Sequence, residues 1–160
     1  MNDGAAERQR VAGVRLSRID FDRTVTSEDR RVDPGGIQQQ QALAHLDRAR
    51  PGDYVALCAF LEMNAENEAA MADLRNAVSK VTGVATTLGF GPRFLHSTGQ
   101  AHKGGPATGL FLQFTDKPVA DLPVPNRRLT FGQVIASHAR GDFEVLTERG
   151  REPQDDFMSG

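Results

Sequence analysis

The run from Asp53 to Leu61 constrains the fold of this chain more than any other stretch. It reads DYVALCAFL, and after its first residue it is apolar without interruption or alternation. A half-buried antiparallel strand alternates apolar and polar side chains, whereas a parallel strand covered on both faces is apolar throughout. We therefore predict a central parallel strand here, with other elements packed on both of its faces.

The residues that follow alternate between helical and extended patterns. Asn64 is predicted to cap a helix that Gly83 terminates, because apolar residues between them recur three and four positions apart. VATTLGF at 84–90 and TGLFLQFT at 108–115 are predicted strands, and an amphipathic helix is expected from near Thr130. This order of elements is typical of a three-layer α/β sandwich with a small, mainly parallel sheet.

The length of 160 residues favours a single domain. Residues 1–34 are charged and polar, so we expect an N-terminal arm that is poorly ordered or docked on a partner. The folded domain is expected over 35–151, beginning with a helix at 37–49, and residues 152–160 are expected to form a C-terminal tail. In the last helix, Gly141 is expected to cause a kink or a break.

Composition argues against some classes of partner. The chain has 19 basic and 21 acidic residues, for a net charge of -2, so no global field favours nucleic acid or a membrane surface. No window approaches eighteen apolar residues and the first residues lack the apolar core of a signal peptide, so the cytoplasm is the expected location. The single cysteine, Cys58, lies in an apolar run and is expected to be a small buried hydrophobe.

The segment from Gly89 to Gly105, GFGPRFLHSTGQAHKGG, does not read like part of a core, and we call it the His/Lys segment. It is polar, cationic and rich in glycine, which lets backbone approach a ligand closely. It also directly follows the second predicted strand, and ligands of parallel α/β sheets bind beyond the carboxyl ends of the strands. We therefore predict that this segment forms the binding site.

Anion binding is the first chemistry that the segment indicates. At the start of a helix, Ser97, Thr98 and Gly99 would direct hydroxyls and backbone amides towards an anion, assisted by the helix dipole. Lys103 adds an ammonium, whose attraction to an opposite charge ~4 Å away is about 4 kcal/mol at an effective dielectric constant of about 20, before desolvation is subtracted. An exposed lysine at a helix end is the alternative interpretation of Lys103.

Proton transfer is the second chemistry. His96 and His102 are the side chains of this segment that exchange a proton near neutral pH without a large perturbation. Each is open to a plainer interpretation, as a hydrogen-bonded or solvated histidine. If one helix covers this part of the chain, Gln100 shares a face with His96 and Lys103. No metal site is expected, because no acidic residue separates the two histidines and the one cysteine lies in a strand.

With its flanking residues the segment reads FGPRFLHSTGQAHKGGP, and it resembles the C-terminal end of the phosphoglucose isomerases. The likeness is to the isomerase half of the bifunctional transaldolase/phosphoglucose isomerase proteins, and its specific part is the run HSTGQ-x-HKGG. It covers roughly the last hundred residues, through GLFLQ at 109–113, DLPVP at 121–125, Gly141-Asp142 and Arg149-Gly150-Arg151. The first fifty residues are not distinctive.

The resemblance implies an α/β sandwich of the SIS type and reversible interconversion of glucose 6-phosphate and fructose 6-phosphate. In this family, acid/base groups open the sugar ring, and a proton then moves between C1 and C2 through a cis-enediol. Members need no metal or organic cofactor. The implied partner of the site is therefore a sugar phosphate.

By position, Gln100, His102 and Lys103 resemble the C-terminal polar group that reaches into the family's sugar site. Lys103 would assist ring opening or balance the enediolate charge, and Gln100 would hydrogen-bond the sugar. The chain departs from the family in that its Gln and Lys are three residues apart and not seven. The candidate catalytic residues are Lys103, His102, Gln100 and His96, and the candidate substrate-binding residues are Ser97, Thr98, Gly99, Arg93, Thr87, Gly104 and Gly105.

Phosphoglucose isomerases use two SIS domains, and the family's phosphate loop and its proton-transferring glutamate belong to earlier sequence. Residues 1–50 contain no counterpart of either feature. We therefore expect a chain that is inactive or incomplete alone and that a second SIS-domain polypeptide or a homo-oligomer completes. A non-catalytic sugar-phosphate-binding module and an assembly subunit with a vestigial site are the alternatives.

Overall fold

The computed structural model describes residues 42–115 and 120–149, so the predicted arm at 1–34 and tail at 152–160 lie outside the described residues. Of the helix expected over 37–49, residues 42–49 are described. Residues 42–46 are helical and 47–49 are not, so this helix ends three residues earlier than expected. The elements that follow are β1 (Tyr54–Phe60), α1 (Ala65–Thr82), β2 (Ala85–Phe90), a 3₁₀ helix (Arg93–Leu95), α2 (Ser97–Gly104), β3 (Gly109–Thr115) and α3 (Phe131–Glu148).

The three strands form one parallel sheet in the order β2-β1-β3. Tyr54 at the start of β1 is level with Ala85 of β2 and Gly109 of β3. Because β1 is the central strand, every residue from Val55 to Phe60 is buried. The prediction of a parallel strand covered on both faces is therefore confirmed.

The first core lies between one face of the sheet and α1. Val55, Leu57 and Ala59 of β1 belong to it, as the alternation of side chains along a strand requires. The helical residues Met71, Leu74, Ala77 and Val78 are buried against them, together with Leu46. These α1 residues recur three and four positions apart, so the apolar stripe predicted for this helix is confirmed.

The opposite face of the sheet carries a second core, on the side of α2 and α3. Ala56, Cys58 and Phe60, the intervening residues of β1, belong to this core. The two buried polar side chains of the described residues, His102 and Asp142, lie on the same side. The helices thus cover both faces, which confirms a three-layer α/β sandwich, and the polar groups are confined to one of its two interfaces.

Local sequence explains where the long helices begin and end. The Asn64 side chain accepts a hydrogen bond of 2.8 Å from the Asn67 amide at the start of α1. Gly83 ends that helix in the left-handed conformation, with φ of 70°. Thr130 and Gln133 form a reciprocal capping box at the start of α3. The predicted helix boundaries are confirmed at all three positions.

The helix α3 runs without interruption from Phe131 to Glu148, so the break expected at Gly141 does not occur. A Cβ added at Gly141 would meet nothing within 4 Å, so this glycine does not make room for a neighbouring element. Neither α3 nor any other helix of the described ranges is both long and apolar enough to cross a membrane.

Candidate functional site

The first part of the His/Lys segment is a tight turn that anchors one aromatic side chain. After β2 the chain passes through the 3₁₀ helix, where Phe94 is buried with its ring 5.3 Å from that of Phe60. Glycines permit this approach, since a Cβ on Gly91 would lie 2.6 Å from the Phe60 ring and one on Gly89 would lie 3.0 Å from Cβ of Phe94. The glycines of this turn therefore serve packing, and α2 begins immediately beyond it.

Four of the predicted site residues face solvent at the start of α2. The helix begins at Ser97, as the anion-binding prediction requires, and His96 occupies its N-cap position without a side-chain capping bond. His96, Ser97, Thr98 and Gln100 are all exposed. Because only residues 91–96 separate α2 from the carboxyl end of β2, these side chains lie near that edge of the sheet. They are placed where a dissolved ligand can contact them.

Gly99 is buried at the same helix start. A Cβ at this position would lie 3.1 Å from the carbonyl oxygen of Phe94. The helix therefore packs closely on the preceding turn, and the glycine backbone faces inwards while the neighbouring hydroxyls face outwards.

The second histidine of the segment lies inside the protein. His102 is 6% exposed, with its ring stacked 6.0 Å from Tyr54 and edge-on to Phe111 at 5.2 Å. Burial lowers the pKa of His102 below the usual 6.5; the negative charge of Asp142 opposes this shift and the positive charge of Lys103 adds to it. No described residue makes a hydrogen bond to its Nδ1. His96 and His102 therefore occupy opposite environments, one in solvent and one among aromatic rings.

Lys103 forms an ion pair with α3. Its Nζ lies 2.6 Å from Oδ1 of Asp142, whose side chain is 2% exposed, whereas the lysine side chain is 21% exposed. Arg149 adds a second connection, because its Nη1 donates a hydrogen bond of 3.3 Å to the Lys103 carbonyl oxygen. The C-terminal end of α2 is thus joined to the C-terminal half of α3 through both the side chain and the backbone of Lys103.

Cys58 lies on the sheet side of this ion pair. The residue is buried, as predicted, and burial raises the pKa of its thiol to about 12, with a further rise from Asp142 and an opposing effect of Lys103. The thiolate is the nucleophilic form of cysteine. Cys58 is therefore an inert part of the core.

The remaining predicted binding residues are dispersed. Arg93 and Gly104 are exposed, while Gly105 is half-buried and its amide donates a hydrogen bond of 2.9 Å to the Ala101 carbonyl. Thr87 is an exposed residue of β2 whose hydroxyl donates a long hydrogen bond of 3.5 Å to the Val55 carbonyl. Gly104 and Gly105 thus lie together at the end of α2, whereas Arg93 belongs to the 3₁₀ helix and Thr87 to β2.

Asp142 is the residue of this site that the sequence reasoning missed. The signal was present, because Asp142 falls between Ala139 and Leu146 at the spacing of the apolar stripe of α3, and all three are buried. A carboxylate in such a stripe needs a cationic partner when the stripe is buried. Lys103 is that partner.

Comparisons with known proteins extend the description of the fold. No model of a protein family matches the chain, and no curated protein is significantly similar to it. Among solved structures, the chain is similar to the hypothetical protein TT0462 from Thermus thermophilus, with a TM-score of 0.57 and 14% sequence identity. The likeness covers 93% of this chain and 37% of that one. It shows the fold alone.

Proposed function

We propose that the chain is the C-terminal domain of a cytoplasmic glucose-6-phosphate isomerase of the SIS type. A second SIS-domain polypeptide, or another copy of the chain, would complete its site. The observation that carries the proposal is the ion pair of Lys103, a residue of the segment that resembles these enzymes. Its side chain is partly exposed, and its Nζ lies 2.6 Å from the buried carboxylate of Asp142 in α3.

A fixed ammonium suits the chemistry of aldose–ketose isomerisation. A base, which the second SIS domain would supply, removes a proton from C1 or C2 and returns it to the other carbon, and the intermediate between these steps is an enediolate. A preorganised positive charge stabilises such an oxyanion more than water does. A buried ion pair is a weak source of stability by itself, because apolar residues of similar volume often stabilise a fold as well. We therefore infer that the pair of Lys103 and Asp142 serves binding or catalysis in addition to folding.

The exposed start of α2 supplies the other groups that the reaction needs from this domain. Gln100, one turn before Lys103, would hydrogen-bond the sugar hydroxyls, and His96 would exchange the proton that ring opening requires. Ser97 and Thr98 would contact the phosphate or a sugar hydroxyl near the positive end of the helix dipole. His102 is buried, so we assign it the support of α2 and not contact with the sugar.

An isomerase assay with a separately expressed SIS domain tests this function. We expect little turnover of fructose 6-phosphate by the chain alone and measurable turnover after the N-terminal SIS domain of a transaldolase/phosphoglucose isomerase is added. In the reconstituted enzyme, Lys103→Ala should lower the rate by about 10²–10³-fold, the usual cost of losing one preorganised oxyanion-stabilising group. Lys80→Ala, on an exposed position of α1, is the matched control and should leave the rate unchanged.

Two results would contradict the proposal. An undiminished reconstituted rate in Lys103→Ala would remove that ammonium from the mechanism. If fructose 6-phosphate stabilised the chain but no combination of domains turned it over, the chain would instead be a binding module. Ligand at 100 times its dissociation constant raises the free energy of unfolding by about 2.7 kcal/mol, which a melting experiment detects.

A further inference from the structure

Asp142 occupies an unusual position for an acidic residue. It lies on the buried side of α3, between the buried residues Ala139 and Leu146, and its own side chain is 2% exposed. Glu144, an exposed acid of the same helix, pairs with Arg140 one turn away at 2.7 Å. The carboxylate of Asp142 is therefore buried, and only a specific partner can offset the free energy that it loses with its hydration.

That partner comes from another element. Lys103 of α2 supplies the ion pair, and apart from it no residue within 42–115 or 120–149 donates a hydrogen bond to either carboxylate oxygen. A carboxylate that served only to stabilise the core would be expected to accept several such bonds. The one described contact of Asp142 with a cation is thus its contact with Lys103.

The two side chains of the ion pair differ in exposure. The Asp142 side chain is buried, whereas the Lys103 side chain is 21% exposed. The backbone of Lys103 is restrained as well, through the hydrogen bond from Arg149 to its carbonyl oxygen. Asp142 and Arg149 therefore restrain Lys103 through contacts with α3 and its C-terminal end, while part of the lysine side chain stays accessible to solvent.

We infer that Asp142 is a positioning residue, which acts from α3 to fix the Lys103 ammonium where it faces the sugar phosphate. The inference rests on the proposed function for the identity of the ligand, but the restraint on Lys103 exists without it. A lysine on a four-carbon stem has many rotamers, and a fixed counter-charge removes that freedom before the ligand arrives. The ammonium is then preorganised for the charge that develops on the sugar.

Competitive acetylation of the full chain measures this restraint directly. The sequence contains three lysines, Lys80, Lys103 and Lys117, so mass spectrometry of their peptides resolves each reaction rate, with the exposed Lys80 as internal reference. Asp142→Asn should raise the acetylation rate of Lys103 relative to Lys80 by about tenfold, because it removes a charge-assisted contact. Asp142→Leu, which suits the apolar stripe, should give the same increase.

Two variants separate positioning from general damage to α3. Glu144→Gln removes an exposed carboxylate of the same helix and should leave the relative rate unchanged. Asp142→Glu restores the charge and should return the rate towards that of the native chain. Only variants that melt cooperatively are compared, since an unfolded chain would acetylate at every lysine. A Lys103 rate that stays unchanged in both Asp142→Asn and Asp142→Leu would overturn the inference.

Ligand protection then tests what the positioned lysine faces. Millimolar fructose 6-phosphate should slow acetylation of Lys103 in the native chain and protect it several-fold less in Asp142→Asn. Equal protection in both would overturn the role of Asp142 towards the sugar. If fructose 6-phosphate protected Lys103 in neither chain while Asp142→Asn still raised its acetylation rate tenfold, the ion pair would only join α2 to α3. That result would overturn its role towards the sugar. The isomerase assay would still decide the proposed function independently.

Discussion

His102 illustrates how its surroundings determine the role of a single residue. In the sequence it is one of two histidines of the His/Lys segment and a candidate for proton transfer. In the structure its ring lies against Tyr54 and Phe111, and its pKa is lowered chiefly by burial. A neutral ring packed among aromatic rings supports the end of α2, and the adjacent Lys103 is the group that reaches the surface.

The lowered pKa of His102 predicts how stability depends on pH. In the unfolded chain this histidine binds a proton at a higher pH than in the folded chain, so the free energy of unfolding should fall as the pH decreases through 6.5. Above 6.5 the contribution is fully present. Urea unfolding of the native chain and of His102→Gln, between about pH 7.5 and about pH 5.5, measures the difference in slope.

Replacement of an exposed histidine provides the comparison for that experiment. His138→Gln changes a solvent-exposed side chain of α3 and should retain the native pH dependence. His102→Gln should lose part of it. Parallel pH profiles for the native chain and His102→Gln would contradict the interpretation of His102 as a neutral, buried ring.

The apolar stripe of α3 is buried in one half of the helix and exposed in the other. Its C-terminal half buries Ala139, Asp142 and Leu146. Its N-terminal half leaves Phe131 and Ile135 exposed, at 49% and 37%. The stripe was recognisable in the sequence. Which half of it is covered depends on the elements that pack against the helix, and these come from distant parts of the chain.

Replacing Gly141 by alanine is expected to stabilise this helix. A glycine inside a helix costs about 1 kcal/mol relative to alanine, and a Cβ at this position would meet no atom within 4 Å. Gly141→Ala should therefore raise the free energy of unfolding by roughly 0.5–1 kcal/mol, as measured by urea denaturation.

The opposite result is expected for the glycine that ends α1. Gly83 also has open space around its Cα, but its φ of 70° is costly for a residue with a side chain. Gly83→Ala should lower stability by about 1 kcal/mol. If both substitutions were destabilising, α3 would have to bend at Gly141 in solution.

At the scale of the whole molecule, stability should be greatest in the middle of the sheet and least in α2. The strand β1 pairs on both sides and is buried from Val55 to Phe60, whereas α2 buries only Gly99 and His102. A helix of eight residues has little stability of its own and depends on its packing. The element that carries the candidate site is thus the one that opens most easily.

Hydrogen exchange followed by NMR measures this gradient. Backbone amides of β1 should be the slowest and should exchange only through global unfolding, while those of α2 should exchange faster through local opening. Asp142→Asn should accelerate exchange in α2 and leave β1 unaffected, apart from any change in overall stability. Amides of α2 as slow as those of β1 would show that the helix is an integral part of the core.

Local patterns in the sequence determined the elements of this protein. The unbroken apolar run of β1 indicated a strand covered on both faces, and Asn64, Gly83 and Thr130 marked helix ends. These features were predictable because caps and strand burial depend on residues that are neighbours in the chain or that repeat with a fixed period.

Only the tertiary structure decided which side chains of the His/Lys segment act together. His96 and His102 are close in sequence, but one faces solvent and the other the sheet. Lys103 acquires its carboxylate from Asp142, which follows only after β3 and the start of α3. Contacts between distant elements depend on how the layers pack, and no period or spacing along the chain encodes them.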